Sequence, residues 1–144
     1  MNDELIACIV YAYPTRKEVA LKQGLSIKEV REISRLAISD NRHKKNFSSW
    51  FISKTLKFID VPLIVAFADS TFNHLGTSYK ASNFRLDGIV EPSYWYLTND
   101  GWFMHKKTLY ERAISMKMNE KEYAELHGYK KIWGGEKYRY VFSK

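Results

Sequence analysis

Residues 46–69 read NFSSWFISKTLKFIDVPLIVAFAD, and the period of their apolar positions changes part-way along. Phe47, Trp50, Phe51, Ile52, Leu56, Phe58 and Ile59 recur at spacings of three and four, the period of a helix with one wide buried face. Asn46 or Ser48 stands where an N-cap belongs. After Pro62, Leu63–Ala68 is apolar at every position, so a strand here has to be covered on both faces. Upstream, Val30–Ser39 mixes β-branched residues with alternating charge and reads as another strand. Strand, loop, helix, strand is a crossover unit, and a crossover lays its two strands parallel. The expected class is α/β (α+β), a mixed sheet with helices on both faces.

The flanking sequence extends this plan. Leu5–Ala12 is apolar on both alternating sets and is expected as a central strand, with Cys8 buried in it as a small hydrophobe. Arg16–Gln23 is a polar loop or short helix stopped by Gly24. Gly76–Ser82 is expected as a short helix ended by Asn83 in the left-handed conformation, with Phe84–Val90 as the next strand. Ser93–Thr98 and Trp102–His105 flank the turn Asn99-Asp100-Gly101 and predict a hairpin. Lys106–Met118 is helical by pattern, and Asn119 with Glu122 forms a capping box opening a helix closed by Gly128. Tyr129–Trp133 and Lys137–Phe142 are expected to pair across Gly134-Gly135 as a C-terminal β-hairpin. One domain over residues 1–144 follows, with a core at 5–90 and a helical and hairpin extension at 91–144.

Of the 144 residues 45% are hydrophobic and 15% aromatic, which excludes a disordered chain. The single cysteine rules out an intramolecular disulfide and suits a reducing compartment. No apolar run approaches the ~20 residues of a membrane span, and the N-terminus MNDEL has no leader pattern, so the expected location is cytoplasmic. The formal charge is +7, which points to a polyanion or a phosphate-bearing ligand. Arg42, Lys44, Lys45, Lys54 and Lys57 form one acid-free patch, and Lys130, Lys131, Lys137, Arg139 and Lys144 a second.

Open α/β sheets bind ligands beyond the carboxyl ends of their strands. Two segments arrive there. The loop before Phe47 brings Arg42, Lys44, Lys45 and Ser48 to a helix N-terminus, an arrangement suited to a phosphate or pyrophosphate. In the other, Asp69 closes the apolar strand and NHLGTSYKASNF turns back over the sheet. Asp69 and His74 are candidate bases or metal ligands, and Tyr79 a candidate acid or proton donor to a developing charge; the competing assignment is a turn or helix cap, a surface loop residue and a core aromatic. Four histidines without paired spacing give no metal site, and no hydrolase, Walker or dinucleotide motif occurs. The hairpin SYWYLTNDGWFMHKK joins aromatic residues to lysines, as nucleic-acid stacking surfaces do, although aromatic residues in strands more often pack in cores.

The runs EISRLAISDNRHKKNFSSWFISKTLKFI and VAFADSTFNHLGTSYKASNF resemble the Mom family of bacteriophage DNA-modification proteins, over roughly Leu5–Val90. Asp69, His74, Gly76, Tyr79, Ala81, Asn83 and Phe84 match one family pattern, and Arg35, Leu36, Lys45, Asn46 and Ser49 another. The resemblance implies the GNAT acyltransferase fold and modification of adenine in phage DNA, which protects it from restriction. It further implies Asp69 and Tyr79 as a catalytic pair with His74 beside them, and acetyl-CoA or a related acyl-CoA as cofactor. The cofactor is expected on Arg42, Lys44, Lys45, Asn46, Ser48, Ser49 and Asn83. Family members usually carry an N-terminal segment with a His-Tyr pair before the first matched strand, so the resemblance implies that this segment is missing here, that another chain supplies it, or that the protein no longer catalyses; a homodimer is a separate expectation. The usual glycine-rich acyltransferase loop is replaced by KKNFSS, as in the family.

Double-stranded DNA is accordingly the expected partner, with Lys106, Lys107, Lys130 and Lys131 along its backbone and Trp102 or Trp95 filling the gap left by a flipped base. The alternatives are a non-catalytic DNA-binding protein on a truncated acyltransferase fold, and an acetyltransferase of another amine.

Overall fold

The computed structural model describes residues 4–39 and 44–144. It divides into two compact units, one of residues 1–90 with 137–144 and one of residues 91–136. The first unit gives way to the second after Val90. The last strand, however, belongs to the first unit.

The first unit is a five-stranded sheet in the order β1-β2-β3-β8-β4. Its strands are β1 (Ala7–Ala12), β2 (Val30–Ile38), β3 (Leu63–Asp69), β4 (Arg85–Val90) and β8 (Lys137–Ser143). The helices are α1 (Glu18–Leu21), α2 (Phe47–Thr55) and α3 (Thr77–Lys80). The crossover holds: β2 and β3 are parallel, pairing Val30 with Leu63 through Glu32 with Val65. The expected mixed α/β class with helices on both faces also holds, because β3 alternates. Leu63 and Val65 pack with Val19 and Ala20 of α1, Val30 and Val141. Ile64, Ala66 and Ala68 pack on the opposite face with Ile52 of α2, Leu56, Tyr79, Phe84 and Tyr140.

Two strand expectations are corrected. β1 is an edge strand rather than a central one: it pairs only with β2, and Ile6, Cys8 and Val10 are exposed. Its unbroken apolar pattern therefore does not report burial on both faces, and Cys8 is not a core residue. The C-terminal β-hairpin is absent as well. β8 runs antiparallel between β3 and β4, pairing Val65 with Val141 and Arg85 with Val141. Its apolar residues Tyr140 and Val141 fill the centre of the sheet, which a peripheral hairpin would leave empty.

A bulge shapes the parallel pair. Val10 pairs with Arg35 and Tyr11 with Ile33, so Ser34 is the extra residue in β2. Bulges bend the strand that carries them. The β2–β3 pairing ends at Glu32, two residues before Ser34, so the two strands part at their carboxyl ends.

The second unit is a three-stranded sheet, β6-β5-β7, formed by β5 (Tyr94–Leu97), β6 (Phe103–His105) and β7 (Lys130–Trp133). The predicted Asn99-Asp100-Gly101 hairpin joins β5 to β6, with Gly101 at φ 80. β7 pairs with β5 instead of β8. Helices α4 (Lys106–Ser115) and α5 (Glu120–Leu126) close one face through Leu109, Ala113, Tyr123 and Ala124 against Tyr96. The Asn119–Glu122 capping box forms as predicted, with the Glu122 N–H donating to Asn119 and the Asn119 N–H to Glu122. No described helix is long and apolar enough to cross a membrane.

Candidate functional site

The parted ends of β2 and β3 lead into two segments that meet. Lys44, Asn46, Phe47, Ser48 and Ser49 at the start of α2 line a cleft of about 260 Å³ together with Thr77, Ser78 and Ala81 of α3. Asn46 occupies the N-cap position at φ 68 in the left-handed region, which asparagine tolerates, but its side chain makes no cap bond. The predicted side-chain cap is therefore corrected: the first turn is tied by the Ser49 hydroxyl donating to the Asn46 carbonyl at 3.0 Å. The opening N–H groups of a helix lack acceptors within it and carry the positive end of its dipole. Among the described residues no carboxylate lines the cleft, and the chemistry they bring is a lysine, hydroxyls and N–H donors. That set fits a pyrophosphate.

The buried Ser82 fixes this geometry by donating at 2.8 Å to the Ser78 carbonyl and at 3.1 Å to that of Ser49. Lys45 is exposed and does not line the cleft. Asn83, in the predicted left-handed conformation at φ 65, lines a different cleft with Ser53, Lys57 and Phe142. Arg42 lies outside the described residues.

At the end of β3 the three predicted catalytic residues separate by face. Asp69 follows Val65 and Phe67 on the α1 side, where one carboxylate oxygen accepts the Thr71 N–H at 3.0 Å and the other meets Lys137 at 3.2 Å. Burial pushes its carboxyl up, but the Thr71 hydrogen bonds and the Lys137 charge outweigh that and hold it below the usual carboxylate range. Asp69 is thus an anion at neutral pH. Tyr79 is buried on the other face among Phe84, Tyr140 and His74, the last with ring centroids 5.5 Å apart. Burial, and then the neighbouring Tyr11, raise its phenol above the ordinary tyrosine value. Tyr79 keeps its proton, and no described residue accepts it. The His74 Nδ1 accepts the Gly76 N–H at 3.3 Å. His74 and Tyr79 are therefore together, whereas Asp69 leaves the strand on the opposite side.

The model of the Mom protein family matches residues 1–144. The chain belongs to the Mom protein family. The match runs on through residues 91–144, beyond the stretch Leu5–Val90. No curated protein matches the chain.

In this Mom-family chain the four predicted DNA lysines differ in setting. Lys131 lies over the Tyr94 and Trp133 rings at 3.7 and 4.8 Å, and Lys106 over the Tyr94 ring at 4.9 Å. Lys107 faces Glu111 across a helical turn at 3.9 Å, and Lys130 is exposed. Trp102 is 76% exposed. The second basic patch is partly neutralised within the protein, since Arg139 donates to Asp87 at 2.7 Å and Lys137 meets Asp69. No group of three or more metal-ligating side chains occurs among the described residues.

The sequence reading missed Ser82, and it named Lys137 only as part of a basic patch and not as the partner of Asp69. Ser82 carries a weak signal, a small polar residue in the apolar register of a helix. Lys137 carries none, because its role depends on the register that sets it opposite Asp69.

Proposed function

We propose that this Mom-family protein transfers a small acyl or carbamoyl-type group to adenine in DNA and thereby protects that DNA from restriction. The observation that carries the reading is the cleft of Lys44, Asn46, Ser48 and Ser49 against Thr77 and Ser78, lined by no carboxylate among the described residues, beside a parallel strand pair that parts at its carboxyl ends. Lys44, the Ser48 and Ser49 hydroxyls and the Ser48 and Ser49 N–H groups at the start of α2 would hold the pyrophosphate of an acyl-CoA, which when bound supplies an activated acyl carbon. Family membership and the formal charge of +7 support DNA as the second substrate.

The ionisation states divide the proton work. The Asp69 carboxylate is a proton acceptor, and the Tyr79 phenol, protonated and beside His74, is a donor to a group that leaves with negative charge. Because the two lie on opposite faces of β3, Tyr79 serves the side that holds the α2 cleft, and Asp69 serves the side from which the base arrives. Mass spectrometry of nucleosides from cells expressing the protein should give a modified deoxyadenosine that is lost with Tyr79→Phe. Unmodified deoxyadenosine alone from the wild type overturns the reading.

One observation favours a second reading, non-catalytic DNA binding: both oxygens of Asp69 are already engaged, by Thr71 and Lys137. That reading expects no modified base, and salt-sensitive DNA binding that Asp69→Ala leaves unchanged.

A further inference from the structure

The face of the sheet carrying α1 has a cleft of its own, about 260 Å³, which the cofactor reading does not use. Its walls are Val19, Phe67 and Val90, and its polar residues are Thr15, Arg16, Glu32 and Lys137. Glu32 is the last residue of β2 to pair with β3, so the cleft sits where the two strands begin to part. Through Lys137, 3.2 Å from the Asp69 carboxylate, it also reaches the end of β3.

The polar groups are poised for different parts of a ligand. One Glu32 oxygen accepts the Thr15 N–H at 3.1 Å, and its other oxygen receives no hydrogen bond from a described residue. Arg16 meets no carboxylate among the described residues. A slot with apolar walls and one aromatic ring suits the faces of a planar ring system. An unused carboxylate oxygen suits an amino group on that ring's edge, and cations at the rim suit a phosphate.

We infer that this cleft receives an unpaired nucleotide of DNA, its base lying against Phe67, its exocyclic amino group donating to Glu32 and its phosphate meeting Arg16. The inference rests on the reading of the protein as an adenine-modifying enzyme and names the residues that recognise the acceptor. A base leaves the duplex before such recognition, and pockets read it by stacking and by hydrogen bonds to its edge. Glu32 is a specificity residue here. Glu32→Gln keeps an oxygen for the Thr15 N–H but turns an amide NH2 toward the cleft, a donor facing a donor.

The test uses the full chain and fluorescence anisotropy with labelled duplexes that carry one unpaired nucleotide, either deoxyadenosine or purine deoxyriboside, which lacks the amino group. The wild type should prefer deoxyadenosine roughly tenfold, the worth of one hydrogen bond to a charged group. Glu32→Gln, with an unchanged circular-dichroism spectrum, should abolish the preference, and Phe67→Ala should weaken binding to both duplexes. A preference that survives Glu32→Gln overturns the inference. So does free deoxyadenosine monophosphate competing as well as an unlabelled duplex, which would make the cleft a site for free nucleotides. No preference in the wild type alongside modified deoxyadenosine in cells overturns this inference alone, whereas retained preference with no modified nucleoside overturns only the catalytic reading.

Discussion

Gly76 sits at φ 75, and a Cβ added there would lie 2.2 Å from the Tyr140 ring, whose hydroxyl donates to the neighbouring Leu75 carbonyl at 2.7 Å. Any side chain meets both a steric clash and an unfavoured backbone conformation. Gly76→Ala is therefore expected to cost on the order of 3 kcal/mol, read as a lower urea midpoint at unchanged slope. Gly76 thus answers both to its left-handed backbone and to the close approach of Tyr140. Asp69 offers a second measurement. Its folded-state pKa is depressed, so its contribution to stability is present above the ordinary carboxylate value and disappears as pH falls through the folded one. Asp69→Asn should accordingly flatten the acid side of the stability profile, checked by urea midpoints across the acid range. That Asp69 would end the strand could be read from residues 62–69. The face it takes could not, because a period of two gives relative sides and only the cross-strand partner Lys137 makes them absolute.

Helix α5 is joined to strand β5 through one carboxylate oxygen: Glu120 accepts the Tyr94 hydroxyl at 2.7 Å and the Tyr96 hydroxyl at 2.6 Å. Both phenols are raised above the ordinary tyrosine value, Tyr96 chiefly by burial and then by Glu120, Tyr94 chiefly by its hydrogen bond to Glu120. The folded state thus holds protons that the unfolded chain releases near pH ~10, and stability must fall as pH rises past that value. Glu120→Gln brings the phenols back toward the ordinary value, so thermal melts should lose stability less steeply with alkali than the wild type does. Elements with strong local signals were readable in advance: the switch of period at Pro62, the Asn119–Glu122 box and the Asn99-Asp100-Gly101 turn each depend on residues a few positions apart. Strand order was not. Gly134-Gly135 carries the signal of a tight turn, yet β7 and β8 go to different sheets, since partner choice follows from burying Tyr140 and Val141 rather than from the connection. β1 misled for a related reason: an apolar strand at an edge has the same local pattern as one at the centre.

Charge is distributed unequally between the two units. Residues 91–136 contain seven Lys or Arg and seven Asp or Glu, so the formal +7 resides in the remainder of the chain. Within 91–136 the strands β5, β6 and β7 hold Lys130, Lys131 and His105 and no acid, while α5 holds Glu120, Glu122 and Glu125. DNA affinity should therefore fall steeply between about 50 and 200 mM salt, and changing Lys106, Lys107, Lys130 and Lys131 together to Ala should reduce the log–log slope by about 0.9 for each phosphate no longer neutralised. A slope left unchanged assigns the DNA backbone to the lysines of the first unit. The insertion of β8 between β3 and β4 has a further consequence during synthesis. The ribosome makes residues 1–90 and then all of 91–136 before the strand that fills the middle of the first sheet emerges. Until then β3 and β4 each present an unsatisfied edge to solvent, a template for pairing with another nascent chain. Speed of elongation through the second unit, and any chaperone that shields those edges meanwhile, should govern how much protein is recovered in native form.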